Sequence, residues 1–164
     1  MAEVLVGIGS NIEPEKNVIK AVSALREQFG VVALSPVFES EAVGFKGANF
    51  FNMVASFHFD GELAELAERI RGLELSLGRS PDARKFSSRC VDIDILLFDD
   101  LVVDTPVQLP RAEILFNAFV LWPLAELAPE KKHPINGNTY RELWRAFEHQ
   151  QKLWQVEVDF GHEK

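Results

Sequence analysis

Apolar positions change their period along this chain, and each change marks an element. EVLVGIGS (3–10) is a dense apolar run ending in a Gly-Ser-Asn turn, the pattern of a buried strand. Val18, Val22, Leu25 and Phe29 then recur at helical spacing, with Pro14 suited to the first turn and Gly30 to the stop. VVALSPVFES (31–40) predicts a strand interrupted at Pro36, because proline removes a ladder donor. A glycine-bearing loop, EAVGFKGAN (41–49), leads into FFNMVASFHF (50–59), a second β-rich run closed by Asp60 and Gly61. Leu63, Leu66, Ala67, Ile70, Leu73 and Leu77 line one face of a helix that Gly78 ends.

Beyond it, RSPDARKFSSR (79–89) is polar and basic, and a strand over 89–98 turns at Asp99 and Asp100. VLWPLAELAP predicts a short helix. Thr139 and Glu142 have capping-box form at the start of another helix running to Phe147, and KLWQVEV (152–158) predicts a last strand. Strands and helices mix without strict β-α-β alternation, which implies a layered α+β domain with a largely antiparallel sheet. No repeat or linker divides the chain, so residues 1–164 are expected to form a single domain with a proper core.

One strand breaks its own pattern. SSRCVDIDILLF (87–98) is apolar in its second half yet carries Asp92 and Asp94. Burying even a neutral polar group without a partner costs about 2–7 kcal/mol, so two carboxylates here need positive charge. Strand residues two apart share a face, roughly 6.5–7 Å from one another, which puts both carboxylates on one side and Ile93 and Ile95 on the other. Such a pair on a stiff support suits Mg²⁺, a hard cation held by one or two carboxylates and completed by phosphates and water. The competing reading is a sheet-edge pair that only meets nearby arginines. Arg79, Arg84, Lys85 and Arg89 lie just upstream, and a basic loop beside an acidic pair is what a metal-bound polyphosphate requires.

Composition narrows the classes. A formal charge of −8 argues against a general nucleic-acid binder. The single cysteine, Cys90, permits no internal disulfide, and neither a leader nor a run of roughly 20 apolar residues is present, so a cytoplasmic protein is expected. GIGSN (7–11) fails the dinucleotide fingerprint because its third glycine position is Ile12, and no phosphate-loop motif occurs. Phe45, Phe50 and Phe51 around Asn52, with Phe119 further on, suit a flat heterocycle read by an amide, although core packing explains most phenylalanines. His58, His133, His149 and His162 have no metal-ligand spacing.

Taken together, GIGSN, GANFFNMV, LELSLGR, SSRCVDIDILLF and NAFVLWPLAELAP, in this order over roughly residues 4–130, resemble one family, the 6-hydroxymethyl-7,8-dihydropterin pyrophosphokinases of the folate pathway. The resemblance implies a three-layer α-β-α, ferredoxin-like fold acting on ATP, two Mg²⁺ ions and a reduced pterin, as a monomer with small-molecule substrates and neither nucleic acid nor membrane as partner. It implies that the pterin hydroxymethyl oxygen attacks the β-phosphorus of ATP and AMP leaves. Carried over by motif, Asp92 and Asp94 would hold the metal ions, and Arg79 and Arg89 would contact the phosphates, with Arg84 and Lys85 beside them. Glu74 would shape the nucleotide pocket. Phe50 and Phe119 would sandwich the pterin, Asn52 and the backbone around Ser40 and Val43 would read its edge, and Asn11 would line the same cleft.

Two positions depart from the family pattern. Arg111 stands where the family commonly has a histidine that meets ATP, and Asn117 where it commonly has an arginine. Arg111 could still bind phosphate, with a charge that does not titrate near neutral pH. A pterin- or nucleotide-binding paralogue of altered specificity or no catalysis, and a Mg²⁺-dependent phosphohydrolase, are the alternatives. ATP breakdown without pterin would mark the latter.

Overall fold

The computed structural model describes residues 1–41, 49–78, 91–148 and 151–161. The elements follow the hydrophobic pattern closely: β1 (Ala2–Ser10), α1 (Pro14–Phe29), β2 (Ala33–Leu34), β3 (Val37–Ser40), β4 (Phe50–Phe59), α2 (Leu63–Ser76), β5 (Asp92–Phe98), α3 (Ala118–Leu127), α4 (Tyr140–Ala146) and β6 (Leu153–Val156). A 3₁₀ turn at Ala112–Leu115 precedes α3. Pro14 opens α1, and Gly30 closes it at φ 83°, its N–H bonding the Arg26 carbonyl. The expected break at Pro36 separates β2 from β3. Thr139 and Glu142 form the capping box in full, each side chain bonding the other's backbone N–H.

The strands make one sheet in the order β5-β1-β4-β3-β6, with β2 also on β4, and every pairing is antiparallel. Alternate residues of β1 serve opposite layers. Val4, Val6 and Ile8 pack with Val18, Ala21, Val22 and Leu25 of α1 and Leu66, Ile70 and Leu73 of α2. Leu5 packs on the other side with Ile114, Leu121, Leu124 and Tyr140. Helices therefore cover both faces, giving three layers, α-β-α. Between Leu5 and Val6 the pairing with β5 slips by one residue, Leu5 facing Leu97 and Val6 facing Ile95. This bulge turns both Leu96 and Leu97 toward α3, where strict alternation would send them to opposite faces.

Aromatic rings tie α3 to the sheet and to α4. Trp122 lies 4.4 Å from Phe38 of β3 and stacks on Trp144 at 5.1 Å, and Trp144 stacks in turn on Phe147. Tyr140 is fully buried, and its hydroxyl has no hydrogen-bond partner among the described residues. Burial, and then the charge of Asp100, pushes its phenol well above the ordinary value. Since a buried hydroxyl without a partner costs about 1–3 kcal/mol, Tyr140→Phe should be neutral or stabilise by about 1 kcal/mol. A urea-unfolding midpoint checks this; a clear loss of stability would reveal a partner for the hydroxyl.

Candidate active site

The central strand creates the site by what it lacks. On the face toward α3, β1 presents Leu5, then Gly7 and Gly9, so side-chain bulk stops halfway along it. Gly7 pairs with Asp94 on one side and Val54 on the other, and Gly9 with Asp92 and Asn52. Paired residues of an antiparallel sheet share a face, so a row of carboxylate, glycine and amide crosses the sheet. Above it opens a cavity of about 790 Å³, within the usual size of small-molecule sites. Its walls include Asp92, Asp94, Asn52, Ser40 and Phe50 from the sheet, Phe119 from α3, Arg111 just before the 3₁₀ turn and Glu113 within it. The two carboxylates thus open onto one cavity together with both aromatic residues and the amide.

Gly9 is required by this packing. A Cβ there would come within 2.8 Å of Asn52 Oδ1, closer than such contacts occur, so the glycine makes room for the amide.

The bulge in β5 also brings a cation to the carboxylates. The carbonyl of Leu96, the extra residue, accepts the Arg111 backbone N–H at 3.0 Å. The Arg111 guanidinium then reaches Asp94 at 3.7 Å and Glu113 at 2.9 Å, its Nε donating to the same Glu113 oxygen at 3.0 Å. Glu113 also accepts a hydrogen bond from Asn117 Nδ2 at 3.0 Å. The two residues that depart from the family pattern are therefore held by one carboxylate. Both charged partners of Arg111 are partly exposed, so these pairs orient it more than they stabilise the fold.

Glu74 does not line the cavity. It is 7% exposed on α2, and its carboxylate accepts the Ile93 N–H at 2.8 Å, on the outer edge of β5 between the two aspartates. It thereby steadies the strand that carries them. Asn11 is buried at the end of β1 and is likewise outside the cavity wall. Val43, Phe45, Arg79, Arg84, Lys85, Arg89 and Cys90 lie outside the described residues, as do His149 and His162. Sequence reasoning missed Glu41, Glu113, Gln151 and Lys152, all of which line the cavity. The Arg-x-Glu spacing at 111–113 was the available signal for Glu113. Gln151 and Lys152 reach the cavity only through tertiary pairing of β6 with β3.

The donor set fits Mg²⁺: two carboxylates on a stiff strand, beside space for phosphate oxygens and water to complete the shell.

Comparison with known proteins bears on this geometry. A family model described as 7,8-dihydro-6-hydroxymethylpterin-pyrophosphokinase (HPPK) matches residues 5–129. The chain is similar to an Aquifex aeolicus protein named 2-amino-4-hydroxy-6-hydroxymethyldihydropteridine pyrophosphokinase, 34% identical over 146 residues, covering 87% of this chain and 91% of that one. A Pseudomonas aeruginosa protein of the same name is 34% identical over 148 residues, covering 87% and 90%. Among solved structures, wild-type Plasmodium falciparum HPPK-DHPS superposes with a TM-score of 0.70 at 13% identity, over 88% of this chain and 44% of that one. The present chain thus spans less than half of that larger protein, and the likeness concerns the fold.

Proposed function

The chain belongs to the 7,8-dihydro-6-hydroxymethylpterin-pyrophosphokinase family, and on that premise we propose that its cavity takes the nucleotide at the Asp92 and Asp94 end and the reduced pterin between Phe50 and Phe119. It is an ATP-dependent pyrophosphokinase of folate biosynthesis that uses Mg²⁺. The hydroxymethyl oxygen of 6-hydroxymethyl-7,8-dihydropterin attacks the β-phosphorus of ATP. The bond from that phosphorus to the α–β bridging oxygen breaks, AMP leaves with that oxygen, and the hydroxyl proton is released.

The observation that carries the site assignment is convergence: two carboxylates, an amide and two phenylalanines from three elements line one cavity. Asp92 and Asp94 would hold two Mg²⁺ ions, which when bound draw charge off the triphosphate. Arg111 meets a phosphate oxygen through its planar guanidinium, which suits that geometry. Arg79, Arg84, Lys85 and Arg89 are assigned to the remaining phosphate oxygens from their chemistry and their position just before β5. Glu74 acts through the strand it braces. Phe50 and Phe119 supply the flat faces, and Asn52, with the backbone near Ser40 and Val43, reads the ring edge; Asn11, just past the end of β1, lies outside the cavity wall. In phosphoryl transfers positioning and electrostatics dominate, and a rigid strand is the natural platform for both.

Residues 1–164 are taken as one domain working as a monomer in the cytoplasm, with no nucleic-acid partner. No helix among the described residues is long and apolar enough to cross a membrane. The phosphohydrolase and non-catalytic readings are not favoured, since relatives named as pyrophosphokinases match over nine-tenths of their length. The test is product analysis with MgATP and 6-hydroxymethyl-7,8-dihydropterin. AMP and the pterin diphosphate should appear in equal amounts, and neither should form without the pterin. ATP breakdown in its absence, or intact ATP with both substrates present, would overturn the assignment.

A second expectation concerns Gly9. Gly9→Ala should leave the sheet intact, because the colliding atom is the end of a side chain, but it should swing the Asn52 amide away. Pterin affinity is expected to fall roughly tenfold, the loss of one or two hydrogen bonds, with MgATP affinity unchanged. Titrations of each substrate check this, and unaltered pterin affinity would remove Asn52 from the pocket's polar contacts.

A further inference from the structure

The C-terminal segment lies beyond the family match, which ends at residue 129, yet it returns to the cavity. β6 pairs with β3, Leu153 opposite Ser40 and Trp154 opposite Glu39, and Trp154 Nε1 donates to Glu39 Oε1 at 3.2 Å. Glu39 in turn accepts from Asn49 Nδ2 at 2.9 Å, just ahead of Phe50. This anchoring sets Gln151 against the start of α3. Its Oε1 accepts the Ala118 N–H at 2.6 Å, and its Nε2 donates to Asn117 Oδ1 at 3.4 Å.

That contact meets the first N–H of α3, one that a local cap would leave open. Asn117 occupies the N-cap of α3, where an asparagine side chain commonly accepts an N–H from the first turn. Here it makes no cap bond: its Nδ2 donates to Glu113, and its Oδ1, the atom that would cap, accepts from Gln151 Nε2. An orphan N–H of α3 is satisfied from 33 residues downstream, by a side chain that itself lines the cavity. The next residue after Ala118 is Phe119.

We propose that Gln151 is a positioning residue for the pterin ring: by capping α3 it sets the direction of Phe119, and so makes the C-terminal arm part of the substrate site. The proposal rests on the assignment of the pterin to Phe50 and Phe119. Its effect falls mainly on the pterin end: the bond to Asn117, which leads on through Glu113 to Arg111, is long at 3.4 Å, and Arg111 is held independently by the Leu96 carbonyl and Glu113.

The experiment compares Gln151→Leu, Gln151→Glu and Phe119→Ala in the full chain. Gln151→Leu, one atom shorter but of similar bulk, removes the bonds to the Ala118 N–H and to Asn117 Oδ1. The KM for pterin should rise roughly three- to tenfold, as for one neutral hydrogen bond, with the KM for MgATP and kcat within about twofold. Gln151→Glu keeps an acceptor for the Ala118 N–H and should recover most of the loss. An unchanged pterin KM in Gln151→Leu, equal losses in both substrates and kcat, or no recovery in Gln151→Glu would overturn the role. Phe119→Ala separates the two layers of the argument. If it leaves pterin affinity intact, the ring assignment itself is wrong; if it weakens pterin and Gln151→Leu does not, only the role of Gln151 falls.

Discussion

Asp94→Asn is expected to lower turnover about a thousandfold while leaving the protein folded. The amide is nearly isosteric with the carboxylate, and the Asp94 side chain is 44% exposed beside an open cavity, so little packing is at stake. The contact with Arg111 at 3.7 Å is also lost, but an exposed pair of this kind contributes about 1 kcal/mol at most. What the substitution removes is a formal negative charge at the phosphate end of the cavity. Metal-assisted transfers depend on several kcal/mol of charge stabilisation, and each ~1.4 kcal/mol is tenfold in rate, which gives the thousandfold figure. The Mg²⁺ concentration for half-maximal rate should rise as well, with pterin affinity within about twofold and the melting temperature within a few degrees. Turnover above a tenth of the parent's would take Asp94 out of the mechanism.

Joint metal binding requires Asp92 and Asp94 on one face, and this much was legible in the sequence. The alternation of DIDI places carboxylates and isoleucines on opposite sides whatever the strand packs against. The rest of β5 was less readable. A bulge is an interruption of alternation, and the apolar residues Leu96 and Leu97 satisfy either face equally well. Yet the bulge delivers Arg111 to Asp94, through the Leu96 carbonyl. Glu74 illustrates a different limit. On a helical wheel it is one more acidic residue, and only the neighbouring strand edge explains why it is buried. The 3₁₀ turn at Ala112–Leu115 is too short to carry a period.

Elements were thus easier to read than side-chain partners. Helix α3 was expected from its apolar run despite Pro123, and it forms. Its start was not foreseeable: asparagine at the N-cap suggests a local bond to the second or third helical N–H, whereas that side chain makes none and Gln151 bonds the first. Local rules describe which groups need partners. They do not say which of several chemically equivalent side chains, distant in sequence, will supply them.

Phe119→Ala is the expected counterpart at the other end of the cavity, with pterin affinity falling roughly 5- to 150-fold and Mg²⁺ dependence unchanged. Stacking of a flat heterocycle on an aromatic side chain contributes about 1–3 kcal/mol, which converts to that range. The helix should tolerate the change. Its hold on the fold comes from Leu121 and Leu124, both essentially fully buried, and from the Trp122 stack, while Phe119 is only partly buried at the cavity wall. Alanine is also a good helix former, so α3 loses no propensity. Titration followed by the intrinsic fluorescence of the reduced pterin measures the effect, and Phe119→Leu should recover part of it by restoring apolar area without a ring face. Set beside Asp94→Asn, the two substitutions should separate cleanly, one failing in metal-dependent turnover with the pterin still bound, the other failing in pterin binding with the metal requirement intact. Equal losses of pterin affinity in both would mean that the carboxylates and the ring do not occupy different ends of one cavity, and that the division of labour across the Gly7 and Gly9 row is wrong.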